Sequence, residues 1–283
     1  MLAKISYTWQ LMGASWGVLK RDPRLLIFPA MSGLCCLLVL ISFAVPVFSS
    51  DLLEPSRSGD SPQQQTMWYV LLFLFYFANY FVITFFNTAI IACAISRMAG
   101  GEPSIAGGFS EAFKRIHLIF GWALVSATVG LIVRIIEERS ELIGKIVAGL
   151  LGAAWTMLSF LVVPILVVEE KGPLAALKES ASLFRRTWGE QLVGNFSFGL
   201  IFFLLAIPAY VLGGLGFYLM FAGGATALGL GLISLAIVYI ILLALIQSAL
   251  QSIFQAAVYM YTQGVSGGPG FPVTLLRDAM AQK

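Results

Sequence analysis

Residues 67–95 read MWYVLLFLFYFANYFVITFFNTAIIACAI, with no charged side chain among them. A helix crosses the hydrocarbon of a bilayer in about 20 apolar residues. This run exceeds that length and reads as a spanning helix. Asn79 and Asn87 interrupt it. Moving an unpartnered amide into an apolar medium costs roughly 2–7 kcal/mol. Two such groups call for a polar face turned toward other helices.

The whole chain has the same character. Of its 283 residues, 59% are hydrophobic and 11% charged, and the mean hydropathy is +0.91. Soluble domains carry roughly 25% charged residues. Too few charges remain to cover a water-facing surface, so an all-α integral membrane bundle is expected, with the lipid bilayer as first partner. The net charge of +3 is small, and no basic patch lies on a soluble domain, which excludes a nucleic-acid partner. Cys35, Cys36 and Cys93 lie in apolar runs. They read as small buried hydrophobes, not as a disulfide frame or zinc site. Residues 1–24 lack the compact apolar core and cleavage site of a signal peptide.

Six runs are long enough to span, at about 25–48, 67–95, 116–133, 146–168, 192–221 and 228–261, with a kink expected at Pro208. They make one transmembrane domain over residues 1–283. Cytoplasmic loops are rich in Lys and Arg. With the N-terminus inside, Arg57, Arg134, Arg139 and Lys145 fall outside. Every other basic residue, from Lys4, Lys20, Arg21 and Arg24 to Arg277 and Lys283, falls inside. The expectation is a multi-pass protein of the plasma (cell inner) membrane with both termini cytoplasmic.

The outer loop 49–66 is polar and contains proline. The second outer link, RIIEERSELIGK, suits a helical hairpin tip, with Ser140 as cap and Arg134–Glu138 and Glu141–Lys145 as i,i+4 pairs. On the inner side, Leu2, Ile5, Trp9, Met12, Trp16 and Leu19 step alternately by three and four. They form one stripe of an interfacial amphipathic helix over 1–24, with Lys4, Gln10, Ser15 and Lys20 off the stripe. Asp22-Pro23 reads as cap and first residue of the next helix. The same stepping returns in Leu174, Leu177, Ala181, Phe184 and Trp188, behind Pro173. A weaker copy is EPSIAGGFSEAFKR, and GPGFPVTLLRDAM is a truncated one. The pattern suggests three helical hairpins, each introduced by an amphipathic segment.

Glu169, Gly172, Pro173, Ala176, Leu177, Lys178 and Ser180, in VVEEKGPLAALKESASLFRRTW, resemble one motif of the membrane domain associated with bacterial glycerophosphodiester phosphodiesterases. That likeness implies lipid handling, although no phosphodiesterase catalytic domain accompanies it. Over nearly its whole length the chain is similar to a prokaryotic multi-pass membrane family of unknown function. NYFVITFFN, EEKGPLAALKES and RTWGEQLVGNF carry that resemblance, which implies a fold alone.

No catalytic, cofactor or metal site is expected. His117 is the single histidine and reads as an interfacial anchor. No G-x-S-x-G elbow and no nucleotide-binding glycine motif is present. The glycines at 214–231 instead suit close packing of helices five and six. What remains is intramembrane polarity. At about 100° per residue, Tyr76, Asn79, Tyr80, Thr84 and Asn87 share one helical face. Helix six carries Gln247, Gln251 and Gln255 at i, i+4 and i+8, with Ser248 and Ser252 alongside. Both helices run from outside to inside, so Asn87 is expected to face Gln251 or Gln247. Such a face is either hydrogen-bonding glue, worth about 1 kcal/mol per contact, or the lining of a lipid or solute path. The functional expectation is a non-enzymatic protein that organises lipid or supports a membrane complex, with bound lipid or other membrane proteins as partners. The alternative is a permease for a small neutral solute.

Overall fold

The computed structural model describes residues 13, 15–49, 62–138, 143–221 and 223–263. The stripe members Leu2, Ile5, Trp9 and Met12, most of the 49–66 loop, the Ser140 cap, the Glu141–Lys145 pair and the segment 268–280 lie outside the described residues. The described chain is helical. After helical residues 15–21 and a 3-10 turn at Pro23–Leu26 come α1 (Ile27–Ser49), α2 (Pro62–Met98), α3 (Ile105–Lys114) and α4 (Ile116–Glu138). Then follow α5 (Ile143–Leu158), α6 (Val162–Val168), α7 (Pro173–Phe221) and α8 (Thr226–Thr262). Six segments are long and apolar enough to cross a membrane: Pro23–Val45, Gln65–Met98, Ile116–Glu138, Ile143–Val168, Gly199–Phe221 and Thr226–Met260.

Two features depart from a simple row of spans. The fourth span is broken. Its two parts, α5 and α6, are separated by a turn at residues 159–161. Pro164 explains the break, because a proline ring clashes with the carbonyl four residues earlier, here Phe160, and offers no N–H to it. The second feature is α7. It runs unbroken through 49 residues, Pro208 included, or about 74 Å at 1.5 Å per residue, far beyond the ~30 Å of hydrocarbon. The amphipathic segment that introduces the fifth span is therefore continuous with it. One turn before Pro208, the Leu205 carbonyl accepts a hydrogen bond from Tyr239 Oη of α8 at 3.0 Å.

The buried core sits at one end of the bundle, the end that carries Lys20, Arg24, Arg97, Arg115, Lys171 and Lys178 and is here termed the basic end. Phe28, Ile90, Ile91, Ile119, Leu161, Ile165, Ile253, Phe254 and Tyr259 are buried together there. The α2 helix is the hub, touching α1, α3, α4, α6 and α8. The short α3, capped by Ser104 Oγ on Gly107 N at 2.9 Å, folds back along α2. Gly108 lies against Cys93, Ala89 and Phe28, while Phe113 meets Phe85 with ring centroids 5.0 Å apart.

Residues 15–21 also dock on this core. Ser15, Val18 and Leu19 are buried, whereas Trp16 is 47% exposed. The apolar stripe expected there is thus divided, and Ser15, expected off the stripe, faces the protein. Asp22 does not cap the following turn with its side chain. Its Oδ2 instead lies 2.6 Å from Arg97 Nε, tying the segment to the end of α2. That ion pair falls short of hydrogen-bond alignment, which leaves Asp22 Oδ2 without a hydrogen bond.

Beyond Gly199, α7 and α8 pair through one narrow seam. Phe202, Ala209 and Gly216 are buried on α7, and Gly229 and Ala236 on α8, each at a step of seven. A seven-residue repeat is the seam of a left-handed helix pair. At its tightest point a Cβ on Gly229 would come within 2.5 Å of the Gly216 carbonyl. The expectation that glycines bring these helices together holds at this pair, but Gly214 and Gly231 meet nothing. Away from the seam, Phe203, Tyr210, Val211, Phe217, Leu235 and Leu242 are exposed, as suits lipid contact.

Candidate functional site

The aromatic members of the α2 polar face turn to α4. Tyr76 and Tyr80 pack edge to face at 6.5 Å, and Gly130 of α4 makes room for both rings. Asn79 does not reach another helix. Its Nδ2 donates to the Phe75 carbonyl in its own helix at 2.8 Å. Thr84 is buried. Asn87 does meet α8, but at Ser252, not at Gln251 or Gln247. Ser252 Oγ lies 3.5 Å from Asn87 Oδ1 and 3.0 Å from the Ser248 carbonyl. A hydroxyl has one proton, and the shorter bond holds it, so Asn87 gains little.

The α8 members are less satisfied. Gln247, Gln251 and Gln255 are half-buried and none of them hydrogen-bonds another described residue. Thr88 Oγ1, fully buried on α2, has no partner either. The step of four continues past the expected stripe to Tyr259 and Gln263, and these two do find partners. Tyr259 Oη donates to Glu169 Oε1 at 2.8 Å, and Gln263 Nε2 donates to the same oxygen at 3.1 Å. Sequence reading stopped the stripe at Gln255 because Tyr259 belongs equally well to an apolar pattern; the unbroken spacing was the available signal.

Glu169 opens a knot of charges at the turn between α6 and α7. Lys171 Nζ is 2.5 Å from Glu169 Oε2 and also pairs with Glu179. Burial disfavours ionisation of Glu169, but hydrogen bonds from Lys171 and Tyr259 outweigh it and hold its carboxyl below the ordinary value. Hydrogen bonds to Glu169 and Glu179 raise Lys171. Arg115, at the junction of α3 and α4, pairs with Glu111 and reaches Glu170 Oε1 at 3.0 Å. Its Nε is buried without a partner. Hydrogen bonding from Lys114 and Arg115 lowers Glu111. Glu170 adopts φ +52°, the left-handed region that side chains other than glycine avoid. Nearby, Pro173 packs on Gly121, and Ser180 Oγ accepts from Leu161 N at 3.1 Å inside the broken span. Glu169 and Glu170 are thus the joint between α3–α4, α6–α7 and α8. At the opposite end, Arg134 pairs with Glu137 and Glu138, and Tyr69 Oη donates to Glu138 at 3.2 Å. His117 is exposed at the start of α4. Among the described residues no group of His, Cys, Asp and Glu could hold a metal.

The fold and this site define an all-α, six-helix membrane protein with a polar stripe leading to an ionic joint. The model of a protein family described as a family of unknown function, DUF6159, matches residues 66–271. The chain belongs to that family. Comparison with curated proteins returns no match. Nothing in these comparisons supports the likeness to the glycerophosphodiester phosphodiesterase-associated domain.

Proposed function

We propose that the chain is a non-enzymatic protein of the plasma membrane, its basic end and both termini in the cytoplasm, that holds lipid along the α8 stripe. The observation that carries this reading is the set of half-buried, unpaired amides at Gln247, Gln251 and Gln255. Uncharged donors and acceptors at membrane depth suit the ester and headgroup atoms of a lipid better than an ion. They lie on the half-buried side of α8, beside the residues that pack into the core. The test is purification in native lipid followed by mass spectrometry. Gln247→Leu with Gln251→Leu should lower retained lipid several-fold at unchanged thermal stability. Equal retention, or lipid-free wild-type protein, overturns the reading.

The broken fourth span favours a second reading, a permease for a small neutral solute. Discontinuous helices line substrate sites in transporters because their freed backbone groups can bind ligand. Here, however, the Leu161 N–H is already taken by Ser180. A proteoliposome flux screen with neutral solutes separates the two: flux abolished by Gln251→Leu supports the permease.

A further inference from the structure

The basic end sorts its charges unevenly. Its carboxylates are neutralised by neighbouring cations: Asp22 by Arg97, Glu111 by Lys114 and Arg115, Glu169 and Glu179 by Lys171, and Glu170 by Arg115. Among the described side chains of this end, Glu102 stands outside these pairs. Lys20, Arg24, Lys178 and Arg185 are exposed, and no described carboxylate pairs with them. The cations left over therefore present a positive surface that the internal pairing does not cancel.

Large apolar side chains stand beside them. Trp16 lies one helical turn before Lys20, and Leu174 one turn before Lys178. Trp16 is 47% exposed and Leu174 is 68% exposed. On α3, Phe113 is 59% exposed next to Lys114. An exposed apolar body followed by a cation one turn on is the pattern of a helix seated at the headgroup boundary, the ring or leucine among acyl chains and the ammonium at the phosphates.

We infer that the basic end is a docking surface for anionic phospholipid headgroups, with Lys20, Arg24, Lys178 and Arg185 on the phosphates and Trp16 and Leu174 in the acyl boundary. This deepens the lipid-handling reading, on which it rests for the kind of ligand, but it concerns a different surface and a charge preference. An acidic protein surface could meet the same cations. The exposed Trp16 and Leu174 beside them favour lipid, since an acidic partner gives these side chains nothing to enter.

The test uses the full chain in nanodiscs of phosphatidylcholine with 20–30%, roughly, of phosphatidylglycerol, read by native mass spectrometry of the lipid retained after mild release. Each cation near an anionic surface contributes about a fivefold preference. Lys20→Gln with Lys178→Gln should therefore cut the phosphatidylglycerol-to-phosphatidylcholine retention ratio by more than about tenfold. Lys20→Arg with Lys178→Arg should keep it, and Lys145→Gln, at the opposite end, should leave it unchanged. Trp16→Ser should lower total retention of both lipids. No anionic preference in the wild type, or a ratio unmoved by the double Gln variant with an unchanged melting temperature, overturns the proposal. So does displacement of the retained lipid by millimolar glycerol phosphate, which would mark a site for free phosphate. Loss of the stripe-bound lipid in Gln247→Leu leaves this ratio intact, so failure of either reading is seen separately.

Discussion

Gly108 is the residue on which α3 docks. A Cβ there would come within 2.7 Å of both Cys93 Sγ and Phe28 Cζ and within 3.0 Å of the Ala89 carbonyl. Backbone cannot yield as a side-chain end can, so Gly108→Ala should destabilise the protein by about 1–3 kcal/mol, the usual cost of overpacking. Thermal melting in detergent measures it, and an unchanged melting temperature would show that α3 is not held there. Glu170 is a different case. Glycine at φ +52° would remove a strain of about 1–2 kcal/mol, yet would add about 0.4–1 kcal/mol of unfolded-state entropy. It would also remove an ion pair to Arg115 that, with its glutamate end exposed, is worth about 0–1 kcal/mol. The terms nearly cancel, so Glu170→Gly should melt within a few degrees of wild type. Glu170→Val keeps the strain and loses the pair, and should melt clearly lower. Neither residue stood out in the sequence, because Gly108 sits in an unremarkable Ala-Gly-Gly and left-handed backbone has no signature at a glutamate.

At the scale of elements, periodicity was the readable quantity and termination was not. The apolar runs announced the spans and their alternation with basic loops, since both depend on composition summed over many residues. The break at residues 159–161 depended on one proline, Pro164, in a run apolar enough to hide it. Its consequence is a Leu161 N–H that would be unpaired in a buried site without Ser180. Ser180→Ala should therefore cost about 1–3 kcal/mol, the penalty for an orphaned buried donor, and should speed hydrogen exchange at residues 160–162. Exchange unchanged there would mean that the turn holds without this bond. The polar stripe of α8 was legible as far as Gln255. Its last two members were masked by the apolar sequence around Tyr259, although the step of four ran straight through them.

For the whole molecule, the ionic joint makes stability depend on pH. Glu111 and Glu169 titrate below their ordinary value of 4.5. A carboxylate with a depressed folded pKa stabilises the fold above its unfolded pKa, and that contribution is lost as pH falls through the folded value. The melting temperature should hold steady from neutral pH to about 5 and decline below the ordinary carboxylate range. Lys171 runs the other way: its raised pKa keeps its contribution in place until pH rises past the ordinary 10.5. Glu169→Gln should flatten the acid limb while lowering the neutral plateau; an acid limb identical to wild type would place the sensitivity elsewhere. Composition and charge distribution announced a six-helix membrane bundle. They could not announce that its packed core gathers at one end, because burial inside protein and burial in lipid select the same side chains.

The long α7 has a mechanical side. It is clamped at its base, where Pro173 packs on Gly121, Lys171 holds Glu179 and Ser180 takes the Leu161 N–H. Past Gly199 it packs against α8 along the seam of Phe202, Ala209 and Gly216, and most of its other residues face outward. That is a beam fixed at one end. When the surrounding bilayer thins or thickens, a hydrophobic helix responds by tilting, and a tilt of the free length is delivered as torque to the fixed base. The base is the turn where Glu169 and Glu170 knit three parts of the bundle together, so the thickness of the membrane and the tension in that joint are one variable.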